Sequence, residues 1–184
     1  MWLVLGAIAQ TQDLSAMRAL HFAPERCLRK KLSASFRKYE TADISGKKVD
    51  HKVDMCNLPF RDASFDLIIA SHVLHHIRDE SNAIRNLHRV LRVGGMAVIP
   101  VPIFSDRTVE YPEPIDTQMR ATGRDYFDRC RNAFSSVRVY SSGDFDERHQ
   151  LWIYEDRSTW PRQLSLRPCS PGDRHDEYVP VCVR

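Results

Sequence analysis

Two aspartates follow the ends of two short predicted strands in this 184-residue sequence. Asp43 lies 20 residues after Ala23, the last residue of the first predicted strand. In nucleotide-binding folds, a carboxylate at this separation and at the end of the second strand accepts hydrogen bonds from ribose hydroxyls. Asp54 ends the next predicted strand, where its carboxylate can accept from the exocyclic amine of adenine while Met55 packs on the ring. The pair predicts an adenosine-binding edge, although either aspartate alone also suits a turn or a helix cap.

Three histidines follow the clearest predicted strand, residues 65–70. His72 and His76 have the i,i+4 spacing of a helical zinc site, but the glutamate of an HExxH motif and a third ligand are both missing, so we predict no metal. His75 and His76 are interpreted as packing residues with satisfied ring nitrogens. His72 follows the strand directly and is the candidate general base, because the ordinary pKa of histidine lies near neutrality.

Short apolar runs that alternate with helical stretches predict the sheet that would position these residues. The predicted strands are residues 19–23, 36–41, 49–53, 65–70 and 96–101. The predicted helices are residues 1–9, 25–32 and 81–92, the last of them capped by Asp79 or Ser81 and ended by Gly94. We therefore predict an α/β fold with a doubly wound, mostly parallel sheet in three α/β/α layers, whose ligands bind beyond the carboxyl ends of the strands.

The second part of the chain is less regular. Residues 103–124 contain Pro112 and Pro114 and are predicted to be an irregular loop that acts as a lid. A helix is predicted at residues 125–133 and a strand at residues 137–140. Two later segments, residues 151–154 and 177–184, compete for the last place in the sheet, and the sequence leaves the choice open. The length fits one domain, residues 1–184.

Composition excludes several classes of function. The net charge of +3 is too weak to indicate nucleic acid, and the only tight basic group, Arg29 to Lys31, is interpreted as a solvated helix face. Five cysteines without CxxC spacing argue against a disulfide framework or a zinc ribbon and favour reduced thiols in the cytoplasm. The apolar start is too short for a membrane span and lacks the basic residues of a signal peptide.

One long segment resembles a known family. Residues 54–102, DMCNLPFRDASFDLIIASHVLHHIRDESNAIRNLHRVLRVGGMAVIPVP, resemble the pattern "D…LPF.D.SFD.I….VLEH..D…A..E..RVL.PGG……P" of class I S-adenosylmethionine-dependent methyltransferases. Upstream, LHFAPE at residues 20–25 resembles the first motif of a type 11-like branch, in which the usual glycine-rich turn is altered. Downstream, GRDYFDRCRNAFSSVRVY resembles the sixth strand of the family and the helix before it. The likeness extends over residues 18–140, the predicted core, and leaves residues 156–184 as a tail with a candidate last strand.

The resemblance implies S-adenosylmethionine as cofactor and a role for each matching residue. Phe22, Ala23 and Glu25 would form the turn against the methionine moiety, Asp43 would hold the ribose, Asp54 and Met55 the adenine, and Ser71 and His72 would line the floor near the sulfonium. Ala23 and Pro24 replace the glycines of the usual turn, and His75 replaces the glutamate of the common VLEH.

The implied reaction is methyl transfer to a small-molecule or sugar-type acceptor by direct displacement. Residues 103–124 would cover the acceptor, with Arg107, Glu110 and Tyr111 as candidate contacts. The alternative is a non-catalytic, methyltransferase-like scaffold or partner subunit, and homo-oligomer formation stays open. A nicotinamide dehydrogenase is disfavoured because no GxGxxG is present. No nucleic-acid or membrane partner is expected.

Overall fold

A seven-stranded sheet with helices on both faces forms the centre of the computed structural model, which describes residues 1–149, 153–156, 165–168 and 178–184. The helices are α1 (Trp2–Ala9), α2 (Arg26–Leu32), α3 (Glu80–Val90) and α4 (Tyr126–Arg131). The strands are β1 (Arg18–Phe22), β2 (Lys38–Asp43), β3 (His51–Lys52), β4 (Phe65–Ala70), β5 (Leu91–Val98), β6 (Val109–Ile115), β7 (Gln118–Ala121), β8 (Ser136–Tyr140), β9 (Ile153–Asp156), β10 (Ser165–Pro168) and β11 (Val179–Val183).

The order of the strands in the central sheet is β3-β2-β1-β4-β5-β11-β8. The first five of these are parallel to one another, and β11 runs antiparallel to both β5 and β8. The chain reverses its direction of winding between β1 and β4, which is the place where open α/β sheets bind ligands. The predicted fold class, a doubly wound and mostly parallel α/β sheet, is confirmed.

Alternating side chains of the central strands enter two separate cores, as a doubly covered sheet requires. On one face Leu20 and Ile68 pack with apolar side chains of α3 and α4. On the other face Ala19, Leu67 and Ile69 pack with Val4, Leu5 and Ile8 of α1, so the predicted N-terminal packing helix is present. Both faces of β4 are fully buried, which explains its uninterrupted apolar sequence.

Helix α3 follows the predicted pattern but ends earlier than expected. Asp79 caps it by accepting a hydrogen bond from the Asn82 N–H at 3.1 Å. Gly94 was expected to end the helix, and this is wrong: α3 ends at Val90, and Leu91 pairs with Phe65 of β4. Gly94 instead adopts φ +75° inside β5, and its N–H donates to the Arg184 carbonyl. A helix end and a strand irregularity both favour a glycine with positive φ, so sequence alone does not separate them.

The expected irregular loop at residues 103–124 contains the antiparallel hairpin β6–β7, so the expectation is wrong in this respect. Pro112 and Pro114 lie in β6, which pairs with β7 alone among the described strands, and an edge strand tolerates residues without an N–H donor. The second of the two late segments completes the described sheet as β11, which lies between β5 and β8, while β9 pairs with β10. Residues 151 and 152 of the other predicted strand lie outside the described residues. Among the described helices, none is long and apolar enough to cross a membrane.

Candidate functional site

The carboxyl ends of β1, β2 and β4 lie side by side. Phe22 is paired with Ala42 on one side and with Ala70 on the other, and the Ala23 N–H donates to the Ala42 carbonyl at 2.9 Å. The residues that follow these strands therefore meet at one edge of the sheet. We call this set the cofactor edge: Ala23, Glu25, Asp43, Ser71 and His72.

The turn after β1 has a glycine-like backbone without a glycine. Ala23 adopts φ +44°, in the left-handed region that L-residues other than glycine, asparagine and aspartate rarely adopt. Pro24 then brings the chain to Glu25, the residue before α2, in an extended conformation. The altered first motif thus still forms a turn of the kind that glycines usually provide.

Glu25 is held as a carboxylate by polar neighbours. Its Oε2 lies 3.2 Å from Nε2 of the fully buried His21, whose Nδ1 lies 2.7 Å from the Tyr39 hydroxyl. Burial alone would raise the pKa of Glu25, but hydrogen bonds from His21 and Ser71 outweigh it and lower the pKa to about 2. The cofactor edge therefore presents a negative charge at neutral pH directly after the β1 turn.

Asp43 ends β2 at the wall of a cleft of about 800 Å³. Its Oδ1 accepts hydrogen bonds from the backbone N–H and the hydroxyl of Ser45, at 2.6 and 2.5 Å. No described residue donates to Oδ2, so one carboxylate oxygen stays available for a ligand. Ile44, which we did not identify from the sequence, follows directly and is 70 % exposed. The carboxylate on the cleft wall thus has an exposed apolar residue next to it in the chain.

Asp54 and Met55 differ from one another in exposure. The Val53 N–H donates to the Asp43 carbonyl at 3.2 Å, which brings Asp54 to the neighbouring strand end, as the sequence predicts. Asp54 is exposed, and its Oδ1 accepts from the Cys56 N–H at 2.8 Å. Met55 is only 4 % exposed and belongs to the core. Little of the Met55 surface is thus open to an adenine ring in this conformation.

The three histidines do not share a helical face. His72 is exposed, has φ +53° and donates its backbone N–H to the Pro100 carbonyl at 2.9 Å. His72 precedes a short 3-10 turn, Leu74–His76, so His72 and His76 do not lie one turn apart on an α-helix. Among the described residues, no group of three or more His, Cys, Asp or Glu side chains could hold a metal.

His75 and His76 differ in whether the Nδ1 atom of the ring has a hydrogen-bond partner. His76 Nδ1 lies 3.0 Å from the Thr117 carbonyl oxygen, which agrees with the expected satisfied ring. His75 is 3 % exposed, and its Nδ1 has no hydrogen-bond partner among the described residues, so this part of the expectation is wrong. Burial, with the nearby His76 and His72, lowers the pKa of His75 to about 4. His75 is therefore a neutral packing residue at physiological pH.

The hairpin β6–β7 is fixed to the protein by a cluster of ionised groups. Arg120 of β7 is 2 % exposed, and its guanidinium donates to the carbonyls of Leu74, Ile77 and Arg78 at 2.9 to 3.2 Å. It also binds Glu110 across the hairpin at 2.9 Å and lies 2.9 Å from Glu80 of α3. We call this cluster the hairpin anchor: Glu80, Glu110, Arg120 and Arg129.

The hairpin anchor changes the role expected for one loop residue. Glu110 was a candidate acceptor contact, but Arg120 and Arg129 of α4 bind its carboxylate, the latter at 2.7 Å. Arg107 is exposed and lies 3.9 Å from the Asp125 carboxylate. An open groove of about 570 Å³ lies instead between the hairpin and the histidine segment, lined by His76, Pro114, Thr117 and Met119.

The described fold is Rossmann-like, and the cofactor edge lies at the carboxyl ends of its neighbouring parallel strands. Residues 13–99 match the family described as a methyltransferase domain. This match contains the whole cofactor edge and all five parallel strands.

Curated relatives of known name match parts of the chain. The demethylmenaquinone methyltransferase of Staphylococcus epidermidis is 39 % identical over 130 residues, which are 71 % of this chain and 48 % of that protein. A ubiquinone/menaquinone biosynthesis C-methyltransferase of Xanthomonas oryzae is 46 % identical over 63 residues, 33 % of this chain and 24 % of that protein. The chain thus spans between a quarter and a half of the length of these relatives.

Solved structures agree with the fold. An S-adenosylmethionine-dependent methyltransferase from Mesorhizobium loti superposes with a TM-score of 0.64 at 16 % identity, covering 100 % of this chain and 97 % of that chain. A 1,6-didemethyltoxoflavin-N1-methyltransferase from Burkholderia thailandensis, solved with 1,6-didemethyltoxoflavin and S-adenosylhomocysteine, gives 0.62 at 15 % identity and covers 99 % and 75 % of the two chains. At these identities the likeness concerns the fold.

Proposed function

We propose that this protein transfers a methyl group from S-adenosylmethionine to a small-molecule acceptor by direct displacement. The observation that carries the proposal is the meeting of Ala23, Asp43 and Ser71 at neighbouring strand ends, where the sheet reverses its winding. S-adenosylmethionine supplies a methyl group that is already activated by its sulfonium, so the protein has to align the reactants and exclude water.

The cofactor edge fits the parts of this cofactor. The open Oδ2 of Asp43 suits the ribose hydroxyls, and the exposed carboxylate of Asp54 suits the adenine amine. Ile44 would pack against the adenine ring, the role that the sequence assigned to Met55. The exposed Ile44 suits this role better than Met55, which is buried. The left-handed turn at Ala23 lets the backbone approach the methionine moiety, and the ionised Glu25 suits its ammonium group.

The acceptor would bind on the other side of His72. The groove lined by His76, Pro114, Thr117 and Met119 begins a few residues beyond the β4 end and is mostly apolar. His72 is exposed at the β4 end and would remove a proton where the acceptor must lose one. The curated relatives are named for menaquinone and ubiquinone biosynthesis, which favours a ring-bearing small molecule over a sugar-type acceptor, the two kinds that the sequence left open.

Calorimetric titration with S-adenosylmethionine and S-adenosylhomocysteine tests the cofactor part of this proposal. We expect micromolar binding by the wild-type protein. Asp43→Ala should weaken the affinity at least about tenfold, because the hydrogen bonds of the Asp43 carboxylate to the ribose would be charge-assisted. Asp62→Ala is the matched control, since Asp62 is an exposed carboxylate before β4, at the opposite edge of the sheet. Absence of binding to the folded wild-type protein would refute the proposal.

The non-catalytic alternative has lost its main support. It was based on the missing glycines of the first motif, yet Ala23 adopts the backbone conformation that a glycine would provide. A protein that had lost its cofactor would also have no need of an ionised Glu25 and an open Asp43 side by side. A scaffold role would be favoured only if the titration above gave no binding.

A further inference from the structure

A basic cleft adjoins the cofactor edge and shares Ala23 and Asp43 with it, but its cationic side chains have no role in the proposed methyl transfer. It is the cleft of about 800 Å³ that has Asp43 on its wall. Five cationic side chains line it from two sides, three from α2 and two from the segment between β2 and β3: Arg26, Arg29, Lys30, Lys47 and Lys48. The whole chain carries a net charge of only +3, so this single cleft is much more basic than the rest of the molecule.

The positive charge of the basic cleft is not neutralised by its surroundings. Within the part of the chain that the structure describes, none of the five cations forms an ion pair with a carboxylate. Asp43 is the one carboxylate on the cleft wall, so the lining carries five cationic side chains against one carboxylate. Asp50, which does not line the cleft, interacts electrostatically with Arg29. The Oδ2 atom of Asp50 accepts hydrogen bonds from the N–H and the hydroxyl of Thr41.

Hydrogen bonds hold the two walls of the basic cleft together. The Arg29 guanidinium of α2 donates to the Lys48 carbonyl and so ties the helix to the opposite segment. The bonds of Ser45 to Asp43 and of Asp50 to Thr41 fix both ends of that segment. Lys48 itself has φ +56°, a left-handed conformation that a free loop would avoid. The cations are therefore kept around a defined space instead of spreading into solvent.

From this arrangement we infer that the basic cleft binds a small anion with more than one phosphate group, such as pyrophosphate or the diphosphate of a nucleotide. Several lysines and arginines that converge on one space are the donor set that phosphate oxygens require. The volume lies in the range of small-molecule sites. The cations lie on two facing walls, whereas a membrane surface or a nucleic-acid backbone would favour a continuous convex or flat basic face.

Calorimetric titration of the full chain with inorganic pyrophosphate, at low and at physiological ionic strength, tests the inference. We expect saturable 1:1 binding that weakens at least about tenfold in Lys30→Glu and in Lys48→Glu, one variant from each wall. Arg37→Glu is the matched control: Arg37 is exposed and lies before β2, at the opposite end of the sheet. Thermal unfolding of each variant verifies that it is folded.

Four results would overturn the inference. Wild-type protein that binds no pyrophosphate has no such site, and equal weakening in Arg37→Glu would show a response to overall charge only. Binding to phosphatidylglycerol vesicles or to a single-stranded RNA oligonucleotide, without binding to pyrophosphate, would replace a small ligand by a macromolecular partner. In a repeat with saturating S-adenosylhomocysteine, we expect pyrophosphate to bind as before. Loss of pyrophosphate binding in this repeat would show that the cleft is part of the cofactor site. The titration without S-adenosylhomocysteine does not depend on the proposed methyl transfer, so the two can fail separately.

Discussion

The cofactor edge and the hairpin anchor both concentrate ionisable side chains, but they use them in opposite ways. At the hairpin anchor Arg120 and Glu80 are 2 and 3 % exposed, and every charge lies against an opposite one. At the cofactor edge Asp43 is half-buried and one of its oxygens has no donor among the described residues. A cleft of about 800 Å³ with Asp43 on its wall provides space for a ligand at the second region.

The difference shows how to separate structural charge from functional charge in this protein. A buried charge is tolerated when its partners are fixed in advance, as the carbonyls of Leu74, Ile77 and Arg78 are for Arg120. A charged side chain that lies beside an open cleft and has no ionic partner in the protein, such as Asp43, is suited to bind a ligand. We therefore expect substitutions at the hairpin anchor to change stability, and substitutions at the cofactor edge to change affinity.

The largest effect is expected at the centre of the hairpin anchor. Arg120→Met should lower the free energy of unfolding by about 3 kcal/mol or more, because Glu80 loses a buried ion-pair partner and three backbone carbonyls lose their donor. Urea denaturation measures this change. Arg107→Met is the control in the same segment, where the arginine is exposed, and it should change stability by no more than about 0.5 kcal/mol. Equal small losses in both variants would show that Arg120 does not hold the hairpin.

The second effect is a pH dependence from His75. Its pKa in the folded protein is about 4, lowered by burial from an ordinary value of 6.5, so the unfolded chain binds more protons between these pH values. The free energy of unfolding is therefore highest, as far as His75 is concerned, above pH 6.5. It decreases by about 2–3 kcal/mol as the pH falls towards 4, because the unfolded chain is protonated first. His75→Phe keeps the buried ring without a titrating nitrogen and should show a flatter profile.

Urea midpoints measured from pH 7 to pH 4 test this difference. Other groups also titrate in acid, so the relevant quantity is the difference between wild type and His75→Phe at each pH. His149→Gln is the control, because His149 is exposed and its loss should leave the profile unchanged. Parallel profiles for wild type and His75→Phe would mean that His75 titrates normally in the folded protein.

The third effect belongs to the cofactor edge. Glu25→Gln should weaken binding of S-adenosylhomocysteine by about tenfold, since the pKa near 2 keeps Glu25 charged at neutral pH to attract an ammonium group. Stability at pH 7 should change less than affinity, as the side chain is partly exposed. Calorimetry on Glu25→Gln and on Glu113→Gln, an exposed control in the hairpin, makes the comparison. Unchanged affinity in Glu25→Gln would remove Glu25 from the site.

Sequence patterns predicted the existence and order of the five parallel strands and of α3, because a doubly buried strand reads as a continuous apolar run and a helix buried on one face shows helical periodicity. The bounds were predicted less well: β5 begins at Leu91 and ends at Val98, whereas residues 96–101 were expected. The strand ends then placed Asp43 and Asp54 at one edge without any knowledge of side-chain contacts. The hairpin β6–β7 was missed because its Pro112 and Pro114 indicate a loop, and an edge strand in a two-stranded sheet is the exception that tolerates them.

The hairpin anchor could not be predicted for a different reason. Arginine and glutamate are mostly exposed in proteins, so nothing in the sequence around Arg120 distinguishes it from the exposed Arg107 or Arg124. Its burial depends on carbonyls that are 42 to 46 residues away in the chain. The basic cleft is similar: Lys30 and Lys48 are 18 residues apart in the sequence, and only the fold brings them to one space.

The smallest effect tests the turn of the cofactor edge. Ala23 has φ +44°, a conformation that costs an L-residue roughly 1–2 kcal/mol, whereas glycine adopts it freely but loses more backbone entropy on folding. Ala23→Gly should therefore change the free energy of unfolding by less than about 1 kcal/mol and keep the affinity for S-adenosylhomocysteine. Ala23→Val adds a β-branched side chain at positive φ and should lower both, because the strained turn would move away from the cofactor edge. Urea denaturation and calorimetry on the two variants distinguish the cases. A strongly destabilised Ala23→Gly, or an Ala23→Val that binds as wild type, would show that this turn does not need its left-handed backbone.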